Sequence, residues 1–319
     1  LGRKRVIVVS LFGLGLSTML TPTASSLPGV VAWRFLTGVF TPGIIASTLA
    51  YIAEEWAGGG AAKATALYVS GTVLGGFTGR ALTGFLADRS GWQSSFLILG
   101  GLTLLGAIFE LRWMPASRNF DRQSSWREGL KDFASHLGNP RLLAAYAVGF
   151  NVLFSLVATF TYITFHLAAP PYFLSPAGQG MLFFVYLLGL VITPLSGSLI
   201  QKLGHNRAMP LAVAFSSAGV LLTLAGPLWL VIAGLALCSS GVFVCQTASS
   251  GYVGLAADRA RSAAAGLYVT FYYLGGSAGA ALTGSVWQLA SWSGCVALIV
   301  GVQALAGAIA FFFWKGTDR

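Results

Sequence analysis

Charge is what this sequence has least of. Only 9% of its 319 residues are charged, against the ~25% that a water-soluble domain carries to hydrate its surface. Acidic residues are scarcer still: Glu54, Glu55, Asp88, Glu110, Asp121, Glu128, Asp132, Asp258 and Asp318, each near the end of an apolar run or between runs. No paired acid and base stands inside an apolar segment, which argues against a membrane enzyme. Cys238, Cys245 and Cys295 are too few for a disulfide framework. With His136, His166 and His205 they form no ligand spacing, so neither a metal site nor a bound cofactor is expected. GGGAAKAT at 58–65 lacks the glycine that a phosphate-binding loop places before its lysine. No basic stretch is interleaved with aromatics as a nucleic-acid groove requires. What remains is apolar: 55% of the chain. The composition is that of an integral membrane protein.

A helix crosses the hydrocarbon core with ~20 apolar residues. Ten such stretches are present, at roughly 5–24, 28–53, 62–87, 93–114, 141–169, 177–202, 207–226, 228–256, 262–289 and 293–315. Unbroken apolar runs predict helices, because strands of a membrane barrel alternate polar and apolar residues. The first run, with its basic start and the small residues after it, has the form of a signal peptide, but nine further runs follow where a soluble domain would begin. One set of run ends holds sixteen Lys and Arg residues; the opposite set holds only Arg89. Basic ends stay in the cytoplasm, so both ends of the chain and the polar segment 116–140 are expected there, in contact with anionic lipid headgroups.

The sequence repeats itself. ALYVSGTVLGGFTGRALTG at 66–84 aligns without a gap to GLYVTFYYLGGSAGAALTG at 266–284, and Trp92 recurs as Trp292. GAIFELRW (106–113) returns as GAIAFFFW (307–314), and LGRKR at the first residue pairs with LGHNR at 203–207. A duplication of this length sets the architecture: an N-terminal bundle over 1–115, a cytoplasmic linker over 116–140 and a C-terminal bundle over 141–319. The second copy has two helices before LGHNR, so two further spans, about 62 residues, are expected upstream of Leu1.

A duplicated six-helix unit with a cytoplasmic linker resembles the major facilitator superfamily. Gly2, Arg3, Lys4 and Arg5 are similar to the tail of that family's signature loop before its third helix, and Arg34-Phe-Leu-Thr-Gly38 to the R-x-x-x-G motif of its fourth. In wording the chain resembles bacterial efflux permeases of the YnfM-like or arabinose-efflux type. The resemblance implies an all-α membrane protein with the major facilitator fold, two pseudo-symmetric six-helix bundles of which ten helices are present. Gly71, Gly75, Gly76, Gly79 and Arg80 resemble the antiporter motif of the fifth helix, with Gly76 in place of its proline and Arg80 in place of its last glycine. Spacing of four makes Gly71, Gly75 and Gly79, like Gly275 and Gly279, a small-residue face for close helix packing, and Gly276 repeats Gly76.

Polar side chains inside apolar spans must face protein or water. Asn151, Ser155, Thr159, Tyr162 and His166 form one stripe; Ser239, Gln246 and Ser250 form another; Arg34, Thr37, Thr41 and Thr48 a third. Arg34 and Arg80 are the two charges within spans. The resemblance assigns these helices to the lining of a central path. Interhelical hydrogen bonding is the alternative use of the same side chains.

These readings converge on a secondary transporter of small solutes that works by alternating access. The expected form is a monomer in the inner membrane, driving efflux of a sugar-like or drug-like compound by proton exchange. Uptake or facilitated movement on the same fold is the alternative within transport. A receptor or scaffold is the alternative outside it, and the short loops leave little surface for one.

Overall fold

The computed structural model describes residues 2–56, 60–117, 133–257 and 259–314. These residues are almost entirely helical and include no strand. Helix α1 spans Arg3–Leu20 and α2 spans Leu27–Glu55. The stretch Gly60–Trp113 is divided at Gly91 (φ 81°, ψ 163°) into α3 (60–90) and α4 (92–113). Next come α5 (Pro140–Ala168), α6 (Pro176–Leu203), α7 (His205–Leu222) and α8 (Leu228–Ala256). The stretch Arg261–Phe313 is divided at Ala290 and Ser291 into α9 (261–289) and α10 (292–313). Each of the ten expected spans has its helix. Among the described residues, seven helical stretches are long and apolar enough to cross a membrane by length and composition, two of them 51-residue stretches that contain these breaks.

The breaks carry the duplication into the backbone. Gly91 and Ser291 stand 200 positions apart, each immediately before the repeated tryptophan, and both have positive φ (81° and 49°). Only glycine adopts that region without cost. The second copy holds a serine there and keeps the geometry.

Three sequence ranges are modified. Span 177–202 is not one regular helix: Phe183–Leu188 is 3-10, between α-helical Pro176–Leu182 and Gly189–Leu203. Span 207–226 starts earlier and ends sooner, because Gly204 (φ 77°) sets the start and the chain turns after Leu222. Within the polar segment 116–140, residues 133–137 are helical, while 118–132 lie outside the described residues.

The chain forms two compact units, Leu1–Gln123 with Ser175–Phe183, and Ser124–Leu174 with Phe184–Arg319. In the first, α1 packs on α2, with Gly13 under the Phe40 ring and Gly43 beside Ser10. A Cβ on Gly15 would lie 2.8 Å from Leu104 of α4 and 3.2 Å from the Gly100 carbonyl, so a larger residue there would push that leucine aside. The start of α6 joins this unit because Gly84 of α3 and Gly180 of α6 let the two backbones approach. In the second, α9 lies against α5 and α7 against α8. A Cβ on Gly241 of α8 would lie 2.7 Å from the Ala212 carbonyl of α7. Large apolar side chains cover the outside: Leu289, Leu27 and Phe35 are 87%, 75% and 73% exposed. Water would not tolerate such a surface, and lipid does.

Candidate functional site

In the first unit, the basic start of α1 is anchored to the end of α2. Arg3 donates from Nε to both carboxylate oxygens of Glu54 (3.1 and 3.2 Å) and from Nη2 to Oε1 at 2.7 Å. The backbone N–H of Lys4 donates to Ser117 Oγ at 3.3 Å. Tyr51 donates to the Pro115 carbonyl at 3.1 Å. Lys4 is half-buried and Arg5 exposed. Sequence spacing did not identify Glu54 as Arg3's partner, since 51 residues separate them.

The α2 stripe divides by environment. Arg34 is exposed, about two turns into the helix, with its guanidinium 5.5 Å from the centre of the Phe96 ring of α4. Thr37 is buried, its hydroxyl 3.0 Å from Ser17 of α1. Thr41 donates to the Thr37 carbonyl at 2.9 Å, and Thr48 is half-buried. Gly38 has open space where a Cβ would stand. On α3, Arg80 donates to the Gly76 carbonyl at 3.1 Å and lies 4.8 Å from the Phe183 ring centre.

The repeated glycines differ between copies. A Cβ on Gly275 would run into the Phe150 carbonyl oxygen of α5, one on Gly279 would lie 2.5 Å from that of Phe154, and one on Gly276 would meet Leu153. Gly71, Gly75 and Gly79 have nothing within 4 Å among the described residues, and Gly76 meets only Arg80.

The first three residues of the α5 stripe are buried in the second unit. Asn151, Ser155 and Thr159 are 7%, 1% and 0% exposed. Each donates back to a carbonyl four residues earlier: Asn151 to Ala147 (2.9 Å), Ser155 to Asn151 (2.8 Å) and Thr159 to Ser155 (2.7 Å). Asn151 and Ser155 border a small recess with Ser216 of α7, Cys245 of α8 and Gln303 of α10. There Ser217 donates to Gln303 Oε1 (2.7 Å), Gln303 Nε2 to Ser216 (2.8 Å) and Ser216 to the Cys238 carbonyl (3.2 Å). This network was missed from sequence. Its one visible signal is a lone glutamine in the apolar last helix.

Further along α5, Tyr162 donates to the Ala280 carbonyl of α9 at 2.6 Å. His166 stacks on Trp292 with centroids 5.9 Å apart and planes 17° apart, and meets Tyr172 edge-on at 5.5 Å. On α8, Ser239 is buried and donates to Ala236, Gln246 is half-buried, and Ser250 is exposed and donates to the Gln246 carbonyl. None of these three borders the recess. The structure therefore joins the α5 stripe to α7 and α10, and leaves the Ser239 stripe apart from it.

Comparison with known proteins places this arrangement in a family. A family model described as Major Facilitator Superfamily matches residues 1–176. An uncharacterized transporter of Buchnera aphidicola (subsp. Schizaphis graminum) is 32% identical over 307 residues, covering 96% of this chain and 74% of that protein. The inner membrane transport protein YnfM of Escherichia coli is 32% identical over 312 residues, covering 96% and 75%. A crystal structure of a bacterial homologue of the human lysosomal transporter Spinster, inward-facing and unoccupied, superposes with a TM-score of 0.76 at 15% identity, covering 100% and 85%. The chain belongs to the major facilitator superfamily, and is a multi-pass membrane transporter.

Proposed function

We propose that this transporter exports a small organic solute, sugar-like or amphipathic, in exchange for protons by alternating access. In this reading 1–115 and 141–319 are its two bundles, 116–140 joins them in the cytoplasm, and it works as a monomer in the inner membrane. Arg34, Thr37, Thr41 and Thr48, with Asn151, Ser155, Thr159, Tyr162, His166, Ser239, Gln246 and Ser250, serve solute passage and coupling. Gly2 to Arg5, Gly38 and the glycine face of α3 serve gating, and the glycine face of α9 serves packing on α5.

The observation that carries the proposal is Arg34, an exposed guanidinium about two turns inside a 29-residue apolar helix. A charge at the centre of a bilayer costs at least ~2.5 kcal/mol on insertion scales, so one kept within a span has a task to perform. Its planar fork suits a carboxylate, on the solute or on a coupling residue. The sixteen-to-one division of basic residues supports the orientation. The resemblance to efflux permeases supports export.

Proteoliposomes carrying a pH-sensitive dye, with arabinose and ethidium as sugar-like and amphipathic probes, test this reading. Movement of a probe should be accompanied by counter-movement of protons, and both Arg34→Lys and Arg34→Ala should lose it while inserting normally. Full transport by Arg34→Lys would mark Arg34 as a snorkelling residue, because lysine snorkels equally well. Solute movement without protons would favour a facilitator.

A further inference from the structure

Proton coupling requires a group that titrates in the working pH range. The described residues of the second unit contain no Asp or Glu, and their only near-neutral titratable side chains are His136, His166 and His205. His136 and His205 lie with Arg141, Lys202, Arg207, Arg259 and Arg261 at the basic ends of the helices, and His136 contacts the Ala260 carbonyl there at 3.3 Å. His166 stands alone at the other end, where the second unit has no charged side chain among its described residues.

We infer that His166 is the residue of the second unit that takes up the coupling proton, a role that rests on the proton-exchange reading above. Its ring is half-buried two residues before α5 ends at Ala168, and its nitrogens have no hydrogen-bond partner among the described residues. Protonation places a cation against the face of Trp292 and beside Tyr172, an attraction the neutral ring lacks. Both partners are fastened elsewhere. Trp292 Nε1 donates to Thr223 Oγ1 at 3.1 Å, and Tyr172 donates to the carbonyls of Ala225 (3.2 Å) and Gly226 (2.7 Å). One proton thus acts on three connections together: the α5–α6 loop, the α7–α8 turn and the α9–α10 break, where Ser291 holds φ 49° just before Trp292. Among the described residues Tyr172 from the loop is the titratable group against His166, and one turn deeper on α5 stands Tyr162, which interacts with Cys295 of α10. The α7–α8 turn (223–227) and residues 274–289 of α9 contain no titratable or charged side chain. The proton comes from water on the charge-poor side onto a ring nitrogen. It returns to water on the other side after the exchange step.

Two measurements on the reconstituted protein test this. A protonated imidazole quenches an indole stacked on it. Wild-type fluorescence should therefore fall as the pH is lowered from about 8 to 5, and both His166→Gln and Trp292→Phe should lose that component. In transport, His166→Gln should lose accumulation driven by a pH gradient. Persistence of the quench or of gradient-driven accumulation in His166→Gln overturns the inference, as does a lowered SDS-unfolding midpoint accompanying the loss, which marks a structural role. A wild type that moves solute without protons fails the exchange reading itself, and is distinguished by its own dye record.

Discussion

Adding one methyl group to α9 at two places should separate packing from intrinsic helix stability. Ala for Gly gains roughly 0.5–1 kcal/mol in a helix interior, and this gain is common to every glycine on α9. At Gly266 a Cβ meets nothing within 4 Å, so Gly266→Ala should leave the protein unchanged or slightly more stable. At Gly275 the same atom runs into the Phe150 carbonyl oxygen, with the Phe150 carbonyl carbon 2.6 Å away. Backbone cannot rotate aside as a flexible side chain does, so α5 and α9 must move apart. Overpacking of this kind costs roughly 1–3 kcal/mol, and a backbone collision belongs near the upper figure. Since the helix term cancels between the two variants, their difference measures the α5–α9 contact alone. Unfolding by SDS, followed by circular dichroism, should place Gly275→Ala roughly 2–3 kcal/mol below Gly266→Ala. Equal midpoints for the two variants would refute the close approach of α5 and α9.

The Arg3–Glu54 pair, with its forked contact and shortest bond of 2.7 Å, should respond to reversal. Arg3→Glu should cost about 1 kcal/mol or slightly more, and the swap Arg3→Glu with Glu54→Arg should recover most of it in a thermal-unfolding double-mutant cycle. Gln303→Leu preserves bulk but takes away the acceptor of Ser217 and a donor to Ser216, which keeps its bond to the Cys238 carbonyl, so it should lower stability by roughly 1–3 kcal/mol. Adding Ser216→Ala and Ser217→Ala should return a large part of that loss, measured by the same SDS unfolding.

Regular patterns reached the structure intact; pairings between distant residues did not show in advance. The match of 66–84 to 266–284 announced two equivalent helices, and the backbone breaks at Gly91 and Ser291 carry that equivalence. The α5 stripe was visible as a spacing of three and four, because helical geometry places such residues on one face. Its hydrogen bonds were not visible, since a hydroxyl on a helix can turn back to its own carbonyl or outward to a neighbour. Arg3 with Glu54, and Gln303 with Ser216 and Ser217, are joined only by tertiary packing, across separations of 51, 87 and 86 residues. The 3-10 segment Phe183–Leu188 falls where α6 passes from one unit to the other, a boundary that no run of apolar residues marks.

The self-bonded stripe of α5 bears on how the protein is made. A helix entering the bilayer one at a time must satisfy its polar groups by itself, since hydrocarbon offers no partners. Asn151, Ser155 and Thr159 each already bond to a carbonyl of their own helix, so none of these three needs α7 or α8 in place when α5 enters the membrane. Gln303 cannot be accommodated that way: both bonds of its amide go to Ser216 and Ser217. Those serines precede it in the chain. By the time the ribosome delivers α10, the helix that receives its glutamine is already in the membrane, and the order of synthesis matches the order in which partners are needed.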